Sequence, residues 1–255
     1  MKRLRTLFVV VMIANGTAFA IDHSNLDEGR PLRVEDAYPI AEGEWALETG
    51  TGIVVPRQGS TRAVFPISVL YGALPNFHVG LGSILSTDPR EIGDQTKSGD
   101  LQLSGLYNFN QETLTLPAFG LKSTVNFPSG VDSAGVDAEI KALVTKSFGN
   151  LSLHGNAGYR FLSGTRSGER EGRYQLILGA SYPVGAPKYT RTTLVADVFT
   201  EQSARTGAAN VFGAEIGFRH QLTHRTVADA GVGSEFAGPG DRSLFFFTTG
   251  VSIGF

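Results

Sequence analysis

The chain has 255 residues, 22 basic against 24 acidic side chains, a formal net charge of −2 and no cysteine. Those values exclude a disulfide-stapled domain and a thiol or zinc-thiolate site, and they offer no basic surplus for a nucleic-acid partner. The 32 glycines are spread through alternating segments and form no low-complexity block.

Lys2, Arg3 and Arg5 precede an unbroken apolar run, Leu7 to Ile13, and Ala18-Phe19-Ala20 follows as a small-residue cleavage site. This pattern is a secretory signal peptide, residues 1–20, with cleavage expected before Ile21. The run is too short to be a membrane anchor, since a helix needs about 20 apolar residues to cross a bilayer. Taking Lys2, Arg3 and Arg5 from the 22 basic residues leaves 19 against 24 acidic ones, so the exported part is mildly acidic, near −5. Nucleic acid is therefore not an expected partner.

Residues 21–43 are polar and acidic and contain Pro31 and Pro39. They read as an extended periplasmic leader with no core of its own. Residues 44–255 then read as twelve strands, at 44–55, 61–73, 77–86, 99–109, 114–127, 136–148, 151–162, 172–183, 190–201, 210–221, 224–236 and 242–255. No convincing 3.6-residue period interrupts them. The links after even-numbered strands are short: Leu74-Pro75-Asn76, Asn110 to Thr113, Gly149-Asn150, Val184 to Tyr189 and Leu222-Thr223. Most links after odd-numbered strands are longer and more polar, such as Thr87 to Ser98 and Ser163 to Glu171. Pro56 to Ser60 and Ala237 to Asp241 are shorter exceptions. Short turns at one end and long loops at the other are the rhythm of an outer-membrane barrel.

Side chains alternate within the strands. Leu101, Leu103, Tyr107 and Phe109 share one parity, opposite Gln102, Ser104 and Asn108, with Leu106 out of pattern. Tyr174, Leu176, Leu178, Ala180 and Tyr182 oppose Arg173, Gln175 and Ser181, with Ile177 out of pattern. The last strand puts Phe245, Phe247, Val251, Ile253 and Phe255 on one face and mostly small or hydroxylated residues on the other. A final strand with an apolar face implies closure against an early strand. Its terminal Phe255 resembles the C-terminal assembly signal of bacterial outer-membrane barrels, which implies the barrel-assembly machinery as a partner. Periodicity alone does not say which face points inward. The signal peptide, the loop rhythm and Phe255 favour apolar side chains toward outer-membrane lipid, because hydrocarbon leaves an open sheet edge unpaired at several kcal/mol per group. Trp45, Phe77, Phe109, Phe148, Tyr182 and Phe236 would then sit in interfacial girdles.

The expected fold is thus all-β: a transmembrane antiparallel up-and-down barrel of about 12 strands. The polar parity would line the lumen with Glu48, Lys122, Glu139, Lys141, His154, Arg160, Arg173, Asp197, Glu201, Glu215, Arg219, Asp229 and Glu235. These charges would either select a small-molecule solute or pair and plug the interior, since buried ions need partners. Twelve strands lie between filled eight-stranded barrels and open porins, so a narrow or partly blocked pore is expected. Catalysis has one thin motif, Ser152 and His154 on one face about 7 Å apart. No cofactor is expected. No two histidines have close ligand spacing on one strand face, apart from the turn pair His220 and His224.

Three short motifs carry a family resemblance: Arg30-Pro31-Leu32-Arg33-Val34-Glu35-Asp36-Ala37, Gly99-Asp100-Leu101, and Phe127-Pro128-Ser129-Gly130. Together they resemble the outer-membrane family named for the MetA pathway of phenol degradation. That family more often has Pro-Thr-Gly where this chain has Pro-Ser-Gly, which keeps the hydroxyl. The resemblance implies a barrel in the bacterial cell outer membrane and brings no catalytic residue set. The combined expectation is an outer-membrane channel or transporter for small, aromatic or hydrophobic solutes. The alternatives are a non-conducting structural or adhesive barrel, or an outer-membrane lipid hydrolase.

Overall fold

The computed structural model describes residues 21–27, 29–87, 99–131, 133–185 and 189–255. The signal-peptide reading at 1–20 and most of the loop Thr87 to Ser98 lie outside the described residues. Among the described residues there is no helix. Twelve strands run β1 (Trp45–Pro56), β2 (Arg62–Leu74), β3 (Phe77–Ser86), β4 (Leu101–Asn110), β5 (Ala118–Phe127), β6 (Asp137–Phe148), β7 (Leu151–Phe161), β8 (Gly172–Val184), β9 (Thr192–Glu201), β10 (Val211–Thr223), β11 (Thr226–Ala237) and β12 (Ser243–Gly254). Each pairs antiparallel with its sequence neighbours, and β1 pairs with β12 to close the barrel. The closing register sets Glu48 opposite Ser252 and Ile53 opposite Phe247. Beyond it, Trp45 and Phe255 exchange both backbone bonds at 3.0 Å, so the last residue finishes the seam. Two-residue turns such as Gly149-Asn150, with Gly149 at φ 64, mark one end of the barrel; the other end carries the longer loops.

Several strands begin later than their apolar patterns suggest, the fourth and fifth among them. The fourth starts at Leu101, because the Asp100 carboxylate accepts bonds from Gly130 N at 2.8 Å and Ser133 Oγ at 2.9 Å. The fifth starts at Ala118, and Leu114 stands 99% exposed in the preceding turn.

The apolar parity faces outward. Leu176, Leu178, Ile216 and Phe247 are 47%, 68%, 60% and 42% exposed at mid-strand, which is intolerable in water over so wide a belt and fits hydrocarbon. Aromatic side chains edge the belt at both ends. Trp45 packs on Tyr71 at 4.5 Å and Tyr107 on Phe109 at 5.2 Å toward the short turns, and Tyr159 packs on Phe161 at 4.9 Å toward the long loops. Phe148 and Tyr182 lie with the first group and Phe236 with the second.

The segment read as a periplasmic leader lies inside the barrel. It starts at the short-turn end, where Ile21 packs with Ile40, Ala46, Leu70 and Val227. It climbs to Leu32 and Arg33, turns, and descends to Gly43, whose amide bonds Gly72 O at 2.7 Å before β1 begins. The physical reason is composition. An acidic, arginine-bearing chain without a core finds its counter-charges on the polar inner wall.

Candidate functional site

The lumen is where the two sets of charges meet. Arg33, at the turn of the leader, bonds Glu215 Oε1 at 3.0 Å, Glu201 Oε2 at 3.1 Å and Glu235 Oε1 at 3.3 Å. Its guanidinium also lies 3.8 Å above the Phe199 ring and 5.3 Å from the Phe246 ring, so both its edge and its face are engaged. Lower down, Arg30 reaches Glu48 and Asp229, each at 3.4 Å, and Asp27 holds the fully buried Arg219 at 3.2 Å. On the descending arm Glu35 takes Lys122 at 2.5 Å and Lys141 at 2.6 Å. Lys141 stands 3.4 Å from Glu139, and Glu139 in turn holds Arg160. A continuous row of alternating charge therefore runs Lys122, Glu35, Lys141, Glu139, Arg160 across β5, β6 and β7.

The leader's backbone is satisfied by wall side chains. Val34 N donates to Asp197 Oδ2 at 3.1 Å. Asn156 takes the Glu35 amide at 2.8 Å and donates to its carbonyl at 2.9 Å, so one carboxamide stands in for a strand neighbour. Ala37 N donates to Thr145 Oγ1 at 3.1 Å and Asn108 donates to Ala37 O at 2.8 Å. Ile40 N donates to His78 Nδ1 at 3.2 Å. The apolar residues that broke the strand alternation belong to the same contact: Leu106 packs with Ala37 and Leu143, and Ile177 packs with Leu26, Leu32 and Val34. Gly179 is a glycine because a Cβ there would lie 2.7 Å from Val34 Cγ2.

Every wall charge singled out in the sequence has inward parity. Glu48, Lys122, Lys141, Asp197, Glu201, Glu215, Arg219, Asp229 and Glu235 touch the leader directly. Glu139 meets Lys141 and Arg160, and Arg173 is buried opposite Arg160 in the β7–β8 pairing. His154 is bonded on both ring nitrogens, to Thr145 Oγ1 at 3.1 Å and Ser181 Oγ at 2.9 Å. Ser152 instead shares a 3.0 Å contact with Ser147, so Ser152 and His154 do not form a nucleophile–base pair. His220 contacts Thr192 Oγ1 at 2.8 Å. The leader's own Arg30, Arg33 and Glu35, with Thr145, are the partners that strand reading did not supply. Within the strands, Leu106 and Ile177 were the trace they left.

A latch holds the descending arm at the short-turn end. Glu112, in the turn between β4 and β5, accepts from Ser147 N at 2.7 Å, Lys146 Nζ at 3.0 Å and Tyr38 Oη at 3.4 Å. Burial opposes its ionisation, but the bonds from Ser147 and Lys146 outweigh that and hold the carboxyl below its ordinary value. Burial and the Glu112 charge push the Tyr38 hydroxyl up to about 12.

The leader does not fill the lumen. A cavity of about 1050 Å³ runs along the β1–β5 wall from Arg205 and Asp241 at the long-loop end to Tyr38 and His78 near the short turns. Ser68, Ser104, Thr124, Val64, Ile84 and Leu106 form much of its wall, and Lys122, Arg160 and Arg62 reach it. Among the described residues no group of three or more histidines and carboxylates is placed to hold a metal.

Among solved structures, the chain is similar to an outer membrane channel of Pseudomonas putida F1, with a TM-score of 0.62 at 14% identity, covering 91% of this chain and 100% of that one. It is also similar to the NanC porin, at a TM-score of 0.57 and 12% identity over 81% and 98% of the two chains. The CymD monoaromatic hydrocarbon channel gives a TM-score of 0.50 at 12% identity over 84% and 88%. At such identities the likeness shows a shared barrel fold. No curated protein matches the sequence. The family model "Putative MetA-pathway of phenol degradation" matches residues 43–248, most of the chain and nearly all of the barrel, and the protein belongs to that family.

Proposed function

We propose that the protein is a channel of the bacterial outer membrane for small solutes, aromatic or hydrophobic ones among them, and that its inward charges select solute without chemistry. The carrying observation is the cavity of about 1050 Å³, which extends beside the leader on the β1–β5 side from the long-loop end as far as Tyr38 and His78. Its wall mixes hydroxyls with Val64, Ile84 and Leu106, a lining that tolerates a ring as well as water. The channels of Pseudomonas putida F1 and CymD share the fold and lend support by analogy. In this reading residues 1–20 direct export, and the strand ending at Phe255 is read by the barrel-assembly machinery.

Planar-bilayer conductance and uptake of a monoaromatic solute into liposomes test the proposal. The expected result is small, discrete steps and saturable uptake. A tight seal, with no uptake above protein-free liposomes, would reject it. The dense ion pairing of the leader favours one competing reading, a barrel closed in its resting state that serves a structural or adhesive role. Under that reading the intact protein seals, and only variants that unseat the leader conduct.

A further inference from the structure

Glu35 is held in two independent ways. Its backbone is clamped by Asn156 and flanked by the Val34–Asp197 and Ala37–Thr145 bonds. Its carboxylate, separately, neutralises Lys122 and Lys141. The side chain can therefore leave the lysines while the leader stays seated.

The two lysines are not equivalent. Lys141 is 2% exposed and has Glu139 at 3.4 Å as a second carboxylate. Lys122 is 12% exposed, and it and Glu35 both border the cavity, as Lys141 does not. Around Lys122 the cavity wall offers Leu106 and Leu70 as apolar surface and Ser104 and Thr124 as polar groups. Arg62 and Arg160 border the same space on the way from the long loops, beside Glu201, Glu235 and Asp241, so the approach to Lys122 carries both signs of charge.

We propose that the cavity is a binding chamber for a small organic carboxylate, an aromatic monocarboxylate by the character of its walls, and that the ligand's carboxylate exchanges with Glu35 at Lys122. The leader then carries an internal stand-in for the solute's anionic group. Exchange replaces one carboxylate by another at the same ammonium, so the desolvation penalty of a buried ion pair is not incurred anew. The ring packs on Leu106 and Leu70, and the displaced Glu35 keeps Lys141 within reach. The inference deepens the channel reading and rests on it for the identity of the cavity as a solute path, but binding is measurable without flux.

The test is isothermal titration calorimetry on the folded full-length protein in detergent, with benzoate and with benzyl alcohol as the neutral ring of similar size. Folding of each variant is checked by circular dichroism. Benzoate should bind saturably and at least tenfold more tightly than benzyl alcohol. Lys122→Met should remove that preference, and Glu35→Gln, which neutralises the internal competitor, should tighten benzoate by tenfold or more. Equal affinity for the two probes in the parent protein would overturn the inference without needing any variant. So would a folded Glu35→Gln protein whose benzoate affinity is unchanged, or an absence of benzoate binding in both proteins. Conductance with no carboxylate preference would sink this inference and leave the channel standing; a carboxylate preference in a sealed barrel would do the reverse.

Discussion

Arg33 concentrates the energetics of the lumen in one side chain. Three glutamates from β9, β10 and β11 converge on it within 3.3 Å, and Glu215 is 2% exposed at its side chain. Three carboxylates gathered in a low-dielectric space repel one another, and only the guanidinium makes the arrangement favourable. Breaking a buried pair from one side costs about 3–5 kcal/mol, so Arg33→Ala should unseat the leader. Hydrogen exchange at the Val34, Glu35 and Ala37 amides reports this directly, and protection there should fall by orders of magnitude while strand amides keep theirs. Very little of this was legible beforehand. The motif Arg30 to Ala37 is visible as a resemblance, but its partners lie as many as 222 positions away, as Arg30 and Ser252 do, and no periodicity encodes such a pairing. What could be read was the misfit of Leu106 and Ile177 on a polar parity, which packing on the leader now explains.

At the scale of elements, turn and loop contacts decide where strands stop. The two barrel motifs of the family resemblance lie in different loops and clip to each other. Asp100 accepts the Gly130 amide, and the Ser129 hydroxyl accepts the Leu101 amide at 2.8 Å. Asp100→Ala removes the acceptor of two part-buried donors at about 1 kcal/mol each, and exchange at Gly130 and Leu101 should quicken with little change in the barrel below. The Glu112 latch adds a pH dependence. A carboxyl whose folded value is depressed contributes stability above its unfolded value and loses it as pH falls through the folded one. Thermal unfolding should therefore show Glu112→Gln less stable than the parent at neutral pH, by about 1 kcal/mol for a network near the surface, with the difference shrinking as pH falls below the ordinary glutamate range. All twelve strands were legible from period-two alternation. Their ends were missed where a side chain such as Asp100 takes over backbone bonds, because alternation carries no signal for that.

For the whole molecule, the direction in which the sheet is rolled governs everything else. Alternation is the same for a soluble and a membrane barrel, so the sequence could favour one only through its ends and its loop rhythm. The exposed belt settles the choice: Ile216 is 60% exposed at the middle of β10, with Glu215 buried beside it. Ile216→Arg should cost about 2–4 kcal/mol of folding free energy in lipid, read from denaturant-induced refolding into vesicles, because it places a charge at the bilayer midplane.

The central claim is that the described residues of the leader, 21–27 and 29–43, sit inside the barrel wall and not beneath it. The chain has no native cysteine, so a single engineered pair can report without background. A Cβ built at Gly120 lies 3.4 Å from Ala37 Cβ, close to the 3.5–4.5 Å span of a disulfide. The measurement is oxidative cross-linking of the Ala37→Cys, Gly120→Cys protein in native outer membranes, read by mass spectrometry of the linked peptides. A leader seated in the lumen predicts near-complete linkage in the folded protein and none when the second cysteine replaces the lipid-facing Leu121. A correctly folded barrel in which the Ala37→Cys, Gly120→Cys pair stays unlinked would contradict the account.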